Sequence, residues 1–160
     1  RTIISNSSTG TGPNFTDPFG LVLNTAQTKL YVIQEINASF GNAEGTLFEV
    51  NLATGNRRII SDKTAGSGPK LYNTHSLVLN NANTKAYVLD TESRSILEVD
   101  LSTGNRVTFV DLRQVKGVKG ARAAGLRMNP LETKFYFVDS FLNAFVEVDL
   151  ATQNTIIRSK

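Results

Sequence analysis

Cysteine and tryptophan are absent from this 160-residue chain, and there is one methionine and one histidine. Without cysteine there can be no disulfide framework, no thiol nucleophile and no thiolate metal site. A reducing compartment is compatible with that, and so is a secreted bacterial protein. No apolar run approaches the ~20 residues that would cross a bilayer as a helix. No stretch reads as a long amphipathic helix. An excess of one charge sign is small, with 17 Lys and Arg against 14 Asp and Glu. The body therefore lacks the broad positive surface that nucleic-acid binding needs.

What is present is repetition. Thr28-Lys29-Leu30-Tyr31-Val32-Ile33 returns as Thr84-Lys85-Ala86-Tyr87-Val88-Leu89 and as Thr133-Lys134-Phe135-Tyr136-Phe137-Val138. Leu21-Val22-Leu23-Asn24 matches Leu77-Val78-Leu79-Asn80 and Leu126-Arg127-Met128-Asn129. Glu49-Val50-Asn51-Leu52 matches Glu98-Val99-Asp100-Leu101 and Glu147-Val148-Asp149-Leu150. The first unit is longer than the others, and its extra residues fall between Ile33 and Glu49. A unit of this size cannot bury its own apolar faces and must stack on its neighbours.

Each unit predicts four short strands, rich in Val, Ile, Leu, Phe and Tyr. The first lie near 20–24, 76–80 and 125–129, the second near 29–34, 85–90 and 134–139. The third lie near 46–52, 95–101 and 144–150, the fourth near 57–61, 106–110 and 155–159. Ala53-Thr54-Gly55-Asn56 and Ser102-Thr103-Gly104-Asn105 read as tight turns, where Gly and Asn tolerate positive φ. The expected class is all-β: a β-propeller of four-stranded antiparallel blades. Three blades are present, over 19–61, 75–110 and 124–160, as part of a six-bladed ring. Residues 1–5 (RTIIS) match 57–61 (RRIIS) and predict the outer strand of a preceding blade. The outward faces of such a wedge are expected to be open and apolar, so the implied partner is the missing half of the ring or another copy of the chain. An open β-solenoid is the alternative architecture.

Candidate chemistry is sparse. Residues 111–127 carry Arg113, Lys116, Lys119, Arg122 and Arg127 against Asp111 alone. This basic loop predicts attraction of an anionic small molecule or an acidic protein, with Arg113, Lys116, Lys119 and Arg122 as the binding set. It lacks the interleaved aromatics of a single-strand nucleic-acid groove. His75, the single histidine, precedes the inner strand of the middle blade. It is the candidate for proton transfer, with a reference pKa of about 6.5. Tyr72, Asn73 and Thr74 offer it ordinary local packing, and no carboxylate is obviously paired with it. Asp90 and Asp139 end matching second strands, where Gln34 stands in the first unit. Such an Asp commonly accepts turn amides. Gly10-Thr11-Gly12-Pro13 and Gly66-Ser67-Gly68-Pro69 lack the Lys-Ser/Thr and the helix of a phosphate loop and read as blade-to-blade turns.

Phe19-Gly20-Leu21-Val22-Leu23-Asn24 with Lys29-Leu30-Tyr31-Val32, Lys85-Ala86-Tyr87-Val88-Leu89-Asp90, and Phe135-Tyr136-Phe137-Val138-Asp139 through Asn143 to Asp149 resemble the blade repeat of NHL and SMP-30/gluconolactonase-like six-bladed propellers. The resemblance covers nearly the whole chain. It implies a divalent cation such as calcium on the ring axis, with Asp90 and Asp139 among its oxygen ligands. It also implies hydrolysis through metal-bound water and a carboxylate base. The chain departs from the family at its Asn-Gly pair, replaced by Phe19-Gly20, His75-Ser76 and Ala124-Gly125. Two functions follow. The first is a ligand- or protein-binding module with no complete catalytic site in this chain and no certain cofactor. The alternative is a metal-dependent lactonase- or esterase-like hydrolase, using His75, Asp90 and Asp139 and completed by missing blades or a partner chain.

Overall fold

Two-residue periodicity in each unit becomes a four-stranded sheet. The computed structural model describes residues 2–35, 45–115, 118 and 122–159. The first sheet is β1 (Pro18–Leu23), β2 (Lys29–Gln34), β3 (Thr46–Asn51) and β4 (Arg57–Ser61). The second is β5 (Thr74–Leu79), β6 (Lys85–Asp90), β7 (Ser95–Asp100) and β8 (Arg106–Asp111). The third is β9 (Ala123–Met128), β10 (Lys134–Asp139), β11 (Ala144–Asp149) and β12 (Thr155–Ser159). Each sheet is an antiparallel meander in sequence order. β5 packs against β1 on one side and β9 on the other, so the first strands are the inner strands of three adjacent blades. This is the all-β, propeller-type arrangement expected. The extra residues of the first unit centre on 36–44, outside the described residues.

The second strands have the expected bounds. The first strands begin earlier than expected, because a β-bulge lets pairing resume beyond it. Pro18 still pairs with Gln34 across a register shift at Phe19, and Thr74 with Asp90 across one at His75. In β9 the irregularity falls one position later, around Gly125, whose φ is +69°. The basic loop opens with a 3-10 turn, Leu112–Gln114.

The repeated sequence markers are turn clamps. Asn24 Oδ1 accepts the amides of Thr28 and Lys29, both at 2.8 Å. Asn80 does the same for Thr84 and Lys85, and Asn129 for Thr133 and Lys134. Asn51, Asp100 and Asp149 gather the amides of the next turn in the same way. Tyr31 and Glu49 sit directly opposite each other on β2 and β3. Lys29, Tyr31 and Arg58 all reach the Glu49 carboxylate, at 3.0–3.1 Å. Lys85–Glu98 and Lys134–Glu147 repeat the ion pair.

Apolar side chains fill the gaps between blades. Tyr31, Ile33, Leu47, Leu71, Leu77, Val88 and Leu97 form the core between the first and second. Between the second and third, Tyr87, Phe109 and Phe135 meet edge-to-face with centroids 5.0–5.9 Å apart. Such pairs add to plain area burial.

The expectation of two open apolar faces holds on much of the third blade and fails on most of the first. On the outward side of the first blade, Val32, Phe48 and Val50 are buried, with Phe15 packed edge-to-face on Phe48 at 5.2 Å. Only its inner strand stays bare, with Leu21 65% exposed. On the third blade, Val138 and Phe145 are exposed, but Arg127 and Arg158 also stand on this face. By register Arg127 replaces Val22 and Val78 opposite the tyrosine. Among the described residues no ladder pairs the segment expected over 1–5 as an outer strand. Residues 2–4 are irregular, because no described strand lies beside them to share a ladder.

That N-terminal segment is instead held by a buried arginine. Arg57, the first residue of β4, donates through Nε to Pro13 O at 2.7 Å and through its terminal nitrogens to Ser5 Oγ and the carbonyls of Asn6, Thr9 and Gly12. Arg106, the first residue of β8, repeats this on Pro69, Ser61, Asp62 and Ala65. The two Gly-x-Gly-Pro turns are the sockets of these arginines. A Cβ on Gly68, at φ +106°, would lie 1.9 Å from Arg106 O, which is why the turn needs glycine there.

Replacing Arg106 by Ala should cost about 2–4 kcal/mol by stranding buried carbonyls, and Lys should not rescue it because a point charge cannot bond the ring of acceptors. Urea unfolding of both variants measures this. The Glu49 carboxyl is pushed up by burial, but hydrogen bonds from Arg58 and Lys29 outweigh this and hold it below its ordinary 4.5. A depressed folded value means the stabilisation is complete above 4.5 and fades as pH falls through the lower folded value. Its size is below about 1 kcal/mol, since Lys29 and Arg58 are well exposed and screened. Urea midpoints from neutral to acid pH should flatten in Glu49→Gln.

Candidate functional site

Inner strands that begin together, and second strands that end beside them, create one end of the wedge where chemistry could converge. Ser76 Oγ accepts the Leu126 amide at 2.9 Å, tying β5 to β9 at this end. Loops placed by a rigid scaffold are where binding and catalytic groups usually lie.

The bulges aim Phe19 and His75 out of the ladder, and their rings meet edge-to-face at 5.5 Å. His75 is half-buried. The aromatic ring beside it offers no proton acceptor, so the pair suits stacking on a ligand better than proton transfer. Phe19 is 54% exposed, Phe141 53% and Tyr72 40%. Phe19 sits at a bulge within β1, while Tyr72 and Phe141 lie just outside β5 and β10.

Asp90 and Asp139 are fully buried. Asp90 Oδ2 accepts the Tyr72 amide at 2.6 Å and Oδ1 the Ser93 amide at 2.9 Å. Asp139 Oδ1 accepts the Phe141 amide at 2.9 Å. Gln34 plays the same part in the first blade, its Oε1 accepting the Thr16 amide at 3.0 Å. Asp90 and Gln34 hold the segment leading into their blade's inner strand, while Asp139 caps the turn that follows β10. As arranged, the carboxylates serve turns rather than an axis, and no step through a metal follows from them. Among the described residues no three His, Cys, Asp or Glu side chains gather as a metal centre.

The basic set is divided. Arg113 forms a two-pronged pair with Asp111, Nε to Oδ1 at 2.8 Å and a terminal nitrogen to Oδ2 at 2.9 Å. That guanidinium holds the Asp111 carboxyl below its usual range. Arg122 is exposed at the loop end, where its carbonyl accepts the Ser140 amide at 3.2 Å beside Phe141. Lys116 and Lys119 lie outside the described residues.

No protein-family model matches the chain, and no curated protein does. Solved structures do. One is a nidogen/laminin complex, at 15% identity and TM-score 0.63 over 88% of this chain and 47% of that one. Another is the hydrazine synthase of Kuenenia stuttgartiensis, at 16% identity and TM-score 0.61 over 94% and 38%. A third is U3-55K, at 12% and 0.63 over 95% and 42%. The chain spans less than half the length of each of these neighbours. At such identities the likeness is one of fold.

Asp90→Ala should destabilise the chain by about 1–3 kcal/mol, because two buried amides lose their acceptor. Asp90→Asn, which keeps one carbonyl oxygen as Gln34 does, should lose less. Thermal melts of both variants with and without calcium test the turn role. Equal stability of Asp90→Ala and the parent chain contradicts it.

Proposed function

We propose that the chain is a binding module of propeller type, with no catalytic centre of its own, that recognises an acidic protein segment at its loop end. One observation carries this reading. At that end Asp90 and Asp139 are engaged by backbone amides, while aromatic rings and Arg122 face solvent. Exposed aromatics and arginine are the residue types that dominate binding hot spots. The fold is consistent with a recognition or scaffold role and does not by itself assign one. Lys116 and Lys119 would add to the positive field. Bare Leu21 on the first inner strand and Val138 and Phe145 on the third blade favour closure of the arc against further blades, from the remainder of a ring or a second copy.

A peptide array of acidic, neutral and basic segments tests the reading. Acidic segments should be retained, and Phe19→Ser or Arg122→Ser should each weaken retention about fivefold or more, with far-UV circular dichroism confirming the fold. Equal retention of acidic and basic segments, or indifference to both substitutions, overturns it. Turnover of a lactone or ester panel in calcium would replace it with the hydrolase reading.

A further inference from the structure

The rim of the wedge offers a second site, separate from the loop end and resting on different residues. Its argument begins with the buried arginines. Val50 faces Arg57, Val99 faces Arg106 and Val148 faces Thr155, so Thr155 holds the arginine position in the third blade. The rest of the socket changes with it. Gly55 and Gly104, which approach Ile4 O and Ile60 O, give way to Gln153, whose Nε2 donates to Phe109 O at 2.7 Å. Ser5 and Ser61, whose hydroxyls accept the guanidinium, give way to Val110.

Where the first two junctions are filled by a guanidinium, the third keeps a cleft of about 320 Å3 lined by Val110, Asp111, Gln114, Val115, Gln153 and Thr155, with Asn154 at its edge. Thr155 on its wall has a buried Oγ1 with no partner among the described residues. Buried polar atoms ordinarily find one. The walls suit an arginine side chain: Val110 and Val115 offer apolar surface to its stem, Gln114 and Asn154 offer amide oxygens, and Asp111 offers negative charge. Asp111 already takes a planar guanidinium in two-pronged fashion from Arg113. Arg113 is well exposed, so its pair with Asp111 is partly screened and open to competition.

We infer that the cleft between the second and third blades receives a guanidinium group from outside the described chain, in the place where Arg57 and Arg106 serve the other two junctions. The ligand is an arginine side chain of a partner protein or a small guanidino compound, which share this chemistry. Lysine is excluded by shape, because an ammonium cannot span the walls with a planar fork.

The test is an amide-shift titration of the 15N-labelled chain with N-acetyl-arginine-N-methylamide, its lysine analogue and methylguanidinium. The arginine compound should move the amides of Gln114, Val115, Gln153 and Asn154, and bind about tenfold more tightly than the lysine analogue. Methylguanidinium binding as tightly as the arginine compound assigns a small guanidino ligand. Weaker binding assigns a protein arginine. Asp111→Asn, which keeps the turn cap, should weaken the response at least severalfold. Thr155→Arg should abolish it by filling the cleft, and Thr155→Gln serves if that variant does not fold. Equal responses to arginine and lysine, no response at tens of millimolar, or a response that survives in folded Thr155→Arg overturns the inference.

Discussion

A buried guanidinium bonded to a ring of backbone carbonyls orders the joint between the first two sheets and holds the N-terminal segment on the first. Apolar packing between blades is strong but non-directional, and it would tolerate sliding and rotation. Arg57 and Arg106 each bind a hydroxyl and several carbonyls of the segment that leads into their own blade. Those bonds fix where the chain crosses from the rim to the inner strand. Everything inward of that crossing follows: the buried acceptor at the end of the second strand, the bulge, and the side chains at the loop end.

Much of the fold was legible because the recurring letters mark fixed geometry. Asn24, Asn80 and Asn129 recur because each clamps the same hairpin turn, and the Lys, Tyr and Glu markers recur because they meet across two strands. Strand alternation with such markers leaves little freedom in register. The arginines were present in the same alignment, at the head of the fourth strand, but a charged residue at a strand end reads as solvated until its socket is seen. The segment expected over 1–5 as an outer strand lacks a ladder among the described residues for a related reason. Matching letters identify equivalent positions, but a strand also needs a neighbour to bond. Segment 2–5 keeps the position, against Gly55, without the ladder.

The candidate site was less legible. An aspartate after a strand can ligate a cation or collect turn amides, and the letter is the same in both cases. Gln34 was the informative residue, because a carboxamide in the equivalent place serves the amide role as well as a carboxylate does. Net charge located the basic segment but not its division, with Arg113 turned onto Asp111 and Arg122 beside the aromatic turn. Exposure of Phe19, Tyr72 and Phe141 depends on tertiary placement and has no local signature.

Because Phe19 and His75 sit on bulges, neither is the obligatory partner of any residue across the ladder. Their identity is released from the alternation that governs every other position on those strands. Phenylalanine and histidine occupy equivalent places without altering the blade beneath. Such positions are interchangeable fittings on a common frame, and new specificity can evolve there while the scaffold is left untouched.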